Sequence, residues 1–487
     1  MQEALLKIVA TVNSYLTDYV LIFLLVGVGL FVTIRTKFVQ VRCFGEGMKN
    51  VFGKLSLKGG SQGGGLSSFQ ALATAIAAQV GTGNIVGACG AILIGGPGAI
   101  FWMWIIAFLG MATIYAEATL AQKTRKVNED GTVEGGPVYY IKTAFTGKFG
   151  KGLAVFFAIA TMLALGFMGS MVQSNSIAGT MGKAFNIGES FYWIIGIAVA
   201  VLAGVVFLGG VNRLASVTEK MVPIMACLYL IGSLIVIFAR IQYVPETFGM
   251  IFKYAFNANA LIGGGIGYAL KTAISQGAKR GLFSNEAGMG STPHAHAQAN
   301  VKTAHEQGTT AMIGVFIDTF IVLTMTALVV ISTLYAGNGP LGNPATYTME
   351  GALAAFPKAN LAQMAFGSIF WGETFGSIFV AVCLFFFAFS TILSWNFFGK
   401  INFQYLFGKK YTVVYTAIAV VFVFLGSIFS NDLVWELTDF FNYLMVLPNV
   451  IALVALGSMV VTAVKEGKAA KEAAALSAKV AEESAEE

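Results

Sequence analysis

Apolar runs of about twenty residues or more recur along the chain, parted by short polar connections. The first, LTDYVLIFLLVGVGLFVTI at residues 16–34, is long enough to cross a hydrocarbon core of about 30 Å as a helix. Its apolar core is too long for a cleaved signal peptide, and no small-residue cleavage site follows. Further runs occupy 68–93, 98–122, 152–180, 191–210, 216–239, 262–291, 309–335, 371–398, 411–429 and 436–463. The runs are continuous rather than alternating, which excludes a β-barrel. Lipid offers no partner to open backbone groups, so the segments must be helical. The pattern predicts an all-α integral membrane protein with eleven transmembrane helices.

Charge in the connections tests that count. Arg35, Lys37, Arg42, Lys49, Lys54 and Lys58 follow the first span. Lys123, Arg125, Lys126, Lys142, Lys148 and Lys151 follow the third, and Arg213 and Lys220 the fifth. Lys279, Arg280 and Lys302 mark the end of the seventh, Lys400, Lys409 and Lys410 that of the ninth, and Lys465 and Lys468 open the tail. The alternate connections hold only Lys183, Arg240, Lys253 and Lys358. Basic residues stay on the cytoplasmic side, so the expectation is an N-terminus outside and a C-terminus in the cytoplasm. The tail, KEGKAAKEAAALSAKVAEESAEE, reads as a frayed surface helix or a disordered end.

Two runs break the apolar pattern. QVGTGNIVGACG, residues 79–90, places Gly81, Gly83, Gly87 and Gly90 beside Gln79, Thr82 and Asn84 in mid-span. Each glycine costs a helix interior about 1 kcal/mol relative to alanine. Close packing through Gly83 and Gly87 explains some of this. It does not explain the polar side chains, which fit an interrupted helix whose free backbone groups line a site. The second stretch, GAKRGLFSNEAGMGSTPHAHA, covers 277–297 and lies five spans later. Two Gly-interrupted spans in corresponding positions point to an inverted-repeat transporter, and an odd number of spans per half opposes the two halves. Free N–H groups at such breaks attract a carboxylate, and free carbonyls attract an ammonium or Na⁺. A zwitterionic amino acid with a coupling ion suits a pair of them.

Other polar residues extend the set. MVQSNS contributes Gln173 to Ser176, and FFFAFSTILSWNFFG contributes Ser390, Thr391, Ser394, Trp395 and Asn396. Phe387, Thr391 and Trp395 share a helical face. Each hydroxyl can instead back-bond to its own helix. Glu117 and Asp318 are intramembrane acids, which raises a proton relay; for Glu117 an ion pair with Lys123 is the alternative. His294, His296 and His305 read as a solvated loop, as do Glu129, Asp130 and Glu134. The four cysteines show no metal spacing and read as small apolar residues.

Composition agrees: 56% of the 487 residues are hydrophobic and 11% charged, against about 25% charged in soluble domains. The net charge of +6 belongs to topology and headgroups, not to nucleic acid.

GLFSNEAGMGSTPHAHA (281–297), FQALATAIAAQVGTGNIVGACGAILIGGPGAIFWMW (69–104) and EGGPVYYI (134–141) resemble the alanine or glycine:cation symporter family, the sodium:alanine symporters of bacteria and archaea. The resemblance spans essentially the whole chain. It implies a leucine-transporter-type fold of five-plus-five inverted repeats with one extra N-terminal helix. On that frame residues 1–67 hold the extra helix and its cytoplasmic connection. Residues 68–240 and 241–463 are the two repeats, and 464–487 a cytoplasmic tail. The resemblance further implies that Thr82 and Gly83 meet a substrate carboxylate. Phe283, Ser284 and Asn285 would meet the ammonium and wall the pocket, which Gln173, Thr391 and Trp395 would complete. The coupling Na⁺ would lie between Ala77 and Val80 on one side and Phe387, Ser390 and Thr391 on the other. The fold's other sodium position uses the residue matching Asn84, for which the sequence offers no clear partners. Bulky Trp395 and Phe283 suggest a small cavity for alanine, glycine or serine. The implied protein is a multi-pass symporter of a bacterial or archaeal cytoplasmic membrane, with Na⁺ and a small neutral amino acid as cargo, lipid as surroundings, and no cofactor. A proton-coupled carrier using Glu117 or Asp318 is the alternative. A channel lacks a repeated filter motif, and an enzyme lacks a metal cluster, nucleophile elbow or acidic dyad.

Overall fold

A computed structural model describes residues 2–53, 66–129, 131–256, 266–342, 358–370 and 372–486. In chain order the main helices are α1 (Gln2–Arg35), α2 (Ser68–Gln79), α3 (Gly83–Gly95), α4 (Ala99–Thr124), α5 (Gly147–Phe185), α6 (Glu189–Leu208) and α7 (Gly210–Ala239). They continue with α8 (Ile266–Asn285), α9 (Ala304–Leu334), α10 (Glu373–Phe407), α11 (Lys409–Gly426), α12 (Asn431–Ala455) and α13 (Gly457–Glu486). Nine of these are long and apolar enough to cross a membrane among the described residues, and α2 with α3, bent by 44°, makes a tenth. The only sheet there is a ribbon pairing Lys126–Val127 with Val133–Glu134.

Burial sorts the helices into centre and rim. The most apolar stretches of α4 and α10 are 72% buried, and those of α5 and α9 67%. Those of α6 and α11 are only 28% buried. On α6, Ile194, Ile197, Val201, Leu202, Val205 and Leu208 face outward, as do Val413, Val414 and Val421 on α11. In water such a surface would be an association patch; on helices of this length it is the lipid face.

Local sequence sets the helix ends. Ser67 starts α2 with a capping box: its hydroxyl accepts from Gln70 N, and the Gln70 side chain accepts from Ser67 N. Asn186 closes α5 at φ 52°. Gly408, at φ 85°, closes α10 where a side chain would be strained. Wide π-type turns occur at Met162–Gly169 inside α5 and Phe316–Leu323 inside α9, and such turns often sit at functional places.

Several expectations change. The seventh span ends at Asn285, and residues 286–292 leave the helix. Lys54, Lys58, Asp130, residues 262–265 and residue 371 lie outside the described residues. Lys279 and Arg280, counted with the basic residues at the end of the seventh span, lie inside the bundle. They are 8% and 6% exposed and pair across to α12: Lys279 with Glu436 at 3.0 Å and Asp439 at 2.9 Å, Arg280 with Asp439 at 3.3 Å. Burial of two cations inside a bundle demands such partners, and no local pattern announces acids so far along the chain. The tail is a surface helix, exposed from Lys468 to Ser477, whose first turns touch the bundle: Lys123 binds Glu466 at 2.6 Å and Lys471 binds Glu46 at 3.5 Å.

Candidate substrate and cation site

The first break begins at Val80, whose ψ of 85° turns its carbonyl off the helical course. Glycine stands there because other chains come close. A β-carbon on Gly81 would lie 2.4 Å from Thr391 Oγ1 and 3.3 Å from Gln173 Oε1. One on Gly83 would lie 3.0 Å from Ser284 Cα and 3.1 Å from Phe283 Cδ1. The polar residues then close the exposed backbone. Asn84 Oδ1 accepts from Gly81 N at 3.0 Å, Gln173 Oε1 accepts from Thr82 N at 3.2 Å, and Gln79 Nε2 donates to Asn285 O at 2.8 Å. That last bond joins the two breaks directly.

On α10, Thr391 Oγ1 donates to Ala77 O at 2.9 Å and Phe387 O at 3.0 Å. Ser390 Oγ donates to Phe387 O at 2.9 Å and lies 3.4 Å from Ala77 O. Four of the five predicted cation ligands therefore meet at one place, all through oxygen, the donor type hard cations require. Val80 follows one turn beyond Ala77.

The second break is held by its own acid. Glu286, at φ 59°, accepts from Trp395 Nε1 and from Ser291 Oγ. The indole N–H is therefore committed, and Trp395 offers a site its ring face. That ring stands edge-on to Phe283, centroids 5.6 Å apart, and Phe283 leans on Trp435 at 4.6 Å. Gly169 makes room: a β-carbon there would lie 2.3 Å from the Trp395 ring. Ser284 Oγ donates to Asp318 at 2.9 Å and Asn285 Oδ1 accepts from Ala287 N at 3.1 Å.

Thr82, Gln173, Ser284, Asn285 and Thr391 are fully buried, and Phe283 and Trp395 nearly so. Thr82 Oγ1, Gln173 Nε2, Asn285 Nδ2 and Ser394 Oγ have no hydrogen-bond partner among the described residues. An unmatched buried polar atom costs about 1–3 kcal/mol, so these atoms mark where a polar guest is favoured. The structure thus gathers every predicted substrate residue around the two breaks. A cavity of about 850 Å³ lies farther along α10, lined among others by Phe397, Lys400, Gln404, Tyr405 and Lys409.

Three groups were misread or missed. Asn84 has a neighbour that the sequence does not announce: its Nδ2 donates to Asp318 Oδ1 at 2.6 Å, and Thr319 also donates to that carboxylate at 2.8 Å. The wide turn of α9 brings Asp318 under the break, which spacing alone does not reveal. Glu117 pairs with Asn449 Nδ2 and Gly290 N (3.0 Å), not with Lys123. The histidines are buried, not solvated. Gly135 and Gly136 let the ribbon close on them: β-carbons there would lie 2.5 Å from Ala297 Cβ and 2.7 Å from His294 Cδ2. His294 sits between Ser291 O at 2.7 Å and Asn402 Nδ2 at 2.8 Å. Burial pushes His294 down to about 4 and His296 to about 3, so both rings are neutral. EGGPVYYI and PHAHA are thus two faces of one packing contact, a relation that the glycine pair in the motif could have suggested.

The family model of the sodium:alanine symporter family matches residues 2–481. The chain is 38% identical to the sodium/alanine symporter AgcS of Methanococcus maripaludis, over 94% of this chain and 96% of that one. It is 39% identical to a putative sodium/proton-dependent alanine carrier, YrbD of Bacillus subtilis, over 94% and 91%. The fold is similar to MhsT crystallised with L-phenylalanine: TM-score 0.57 at 14% identity, covering 81% of this chain and 90% of that one. The chain belongs to the sodium:alanine symporter family and is a multi-pass membrane transporter.

Proposed function

We propose that this protein carries a small neutral amino acid, alanine or else glycine or serine, across a bacterial or archaeal cytoplasmic membrane by Na⁺-coupled symport. The observation that carries the reading is the meeting of Ser390 and Thr391 with the Ala77 and Phe387 carbonyls beside a bent, glycine-interrupted helix. Na⁺ among these oxygens would tie α2 to α10, with the hydroxyls turning their lone pairs to the ion. That ordering would set Gln173, Thr82 and Gly83 for a carboxylate, and Phe283, Asn285 and the Trp395 ring for the small apolar remainder. No covalent step is needed.

The sodium arm supplies the driving force. One Na⁺ crossing about 100 mV contributes about 2.3 kcal/mol, roughly fifty-fold accumulation. Transport proceeds by alternating access. The buried substrate residues and the cavity beyond them on α10 fit a state closed to the outside with a vestibule toward the basic loops.

The architecture that serves this is eleven crossings with α8 counted among them. Ten form five-plus-five inverted repeats, residues 68–240 and 241–463, after an extra helix in 1–67; the N-terminus is outside, and the tail 464–487 is cytoplasmic. Specificity follows from size: Phe283 and Trp395 leave little room, although one methylene is worth only about 1–3 kcal/mol. Purified protein in liposomes should take up alanine when an inward Na⁺ gradient is imposed, with glycine and serine competing and leucine not. Equal uptake from sodium-free acidic buffer would overturn the coupling ion in favour of a proton.

A further inference from the structure

Where the connection after α1 meets the start of α9, three side chains of metal-binding type converge. Cys43, Glu46 and His305 each offer a ligand atom, and all three atoms lie within 4.8 Å of one another. Cys43 and Glu46 are three residues apart, Cys43 at the N-cap and Glu46 in the first turn of the short helix Phe44–Phe52, so both lie at the same end of that helix. His305 lies in the first turn of α9, where Thr303 Oγ1 accepts from Glu306 N at 3.1 Å. Gly47 lets the short helix press on α9: a β-carbon there would lie 2.6 Å from Thr309 O.

We infer that Cys43, Glu46 and His305 form a site for Zn²⁺ or a similar late transition-metal ion on the basic-loop face of the transporter. Four observations support it. His305 is 4% exposed, so its ring is fixed rather than swinging in solvent. Its Nδ1 lies 2.6 Å from Tyr115 OH, which leaves Nε2 directed at the other two ligands. A hydrogen-bonded far nitrogen is the usual way a metal-binding imidazole is oriented. Nε2 is 3.6 Å from Glu46 Oε1, too long for a hydrogen bond. It is close to the separation of roughly 3.3–3.8 Å between ligand atoms in a tetrahedral zinc site with bonds near 2.0–2.3 Å. Thiolate, imidazole and carboxylate together favour Zn²⁺ over Mg²⁺ or Ca²⁺. Water would take the fourth position.

The surroundings allow the charge. A thiolate and a carboxylate balance a dication, and Lys471 on the tail helix, 3.5 Å from Glu46 Oε2, and Arg42, next to Cys43 in the chain, are the competing cations. The site would clamp the connection after α1 to α9 beneath α13.

The test uses the full-length protein, purified metal-free in detergent and titrated with Co²⁺. The wild type should bind one equivalent with a thiolate-to-cobalt charge-transfer band, displaced by Zn²⁺. Cys43→Ser should abolish the band while Cys89, Cys227 and Cys383 remain. Glu46→Gln, which removes a ligand without touching the thiol, should bind roughly tenfold or more weakly. Lys471→Ala should retain the band. Circular dichroism of the metal-free variants establishes that each is folded. The proposal is overturned if Cys43→Ser keeps the band and affinity, or if the wild type binds no more Co²⁺ than Cys43→Ser.

Discussion

At Gly81 a single β-carbon decides whether the first break can pack, because it would sit 2.4 Å from Thr391 Oγ1 and 3.3 Å from Gln173 Oε1. Both neighbours are buried and hydrogen-bonded, so neither can swing away freely. Gly81→Ala should cost about 1–3 kcal/mol of overpacking and abolish uptake in protein that still inserts and purifies. Normal uptake would show that the approach is looser than described. The cation reading is decided by the same residues. Thr391→Ala removes a hydroxyl from the Ala77 and Phe387 carbonyls; hydrogen bonds to charge are worth about 1.5–3 kcal/mol. The sodium concentration for half-maximal uptake should rise roughly ten- to hundred-fold, and Thr391→Ser should restore most of it. A value unchanged in Thr391→Ala removes this residue from the ion site.

Much of this was legible at the level of single residues, because glycine and polar side chains in mid-span are a local signal. The partners of Glu286 and of Asp318, the latter marked only as an intramembrane acid, were not. They are Trp395, 109 residues from Glu286, and Asn84, 234 residues from Asp318, and no spacing rule joins such positions. The histidines were misread for a related reason: HAH looks solvated until Gly135 and Gly136 are seen to close on it.

Among the elements, α8 and α12 are tied by charge. Lys279 has both Glu436 and Asp439, whereas Arg280 pairs with Asp439 alone among the acids of the described residues and lies over the face of Trp435 at 4.4 Å. Asp439→Asn should therefore strand Arg280 and cost about 3–5 kcal/mol, read as a clear fall in melting temperature. A change within error would mean that water reaches the pair. Glu436→Gln should cost less, since Lys279 keeps Asp439. Loop-charge counting placed Lys279 and Arg280 on a membrane face because it sees cations and not their distant partners. The helical elements themselves were legible, but some ends moved far: the first helix starts at Gln2 rather than 16, and the ninth expected span runs on to Phe407 rather than 398. Other ends were set by tertiary contacts, such as the stop of α8 at Asn285.

Taken whole, the molecule has a lipid-facing rim of α6 and α11 around a buried centre of α4, α5, α9 and α10. That division is what a membrane solvent selects, and hydropathy alone marked most of the segments that fold as long apolar helices. It could not rank them by depth, because on the rim α6 is more apolar and α11 less apolar than the helices of the centre. The expected orientation puts α13 in the cytoplasm beside Lys123 and Glu46. A fluorescent protein that matures only in the cytoplasm should therefore shine when fused after residue 487 and stay dark when fused before residue 1. The reverse pattern would invert the assignment.

In the proposed arrangement sodium and substrate share one pair of helix breaks, so each should strengthen the other by the same factor. The most direct test is calorimetric titration of alanine into purified protein at a series of Na⁺ concentrations with ionic strength constant. Alanine affinity should rise with Na⁺ and saturate, and Ser390→Ala with Thr391→Ala should flatten that dependence. Alanine binding that is equally tight with and without sodium would contradict the account.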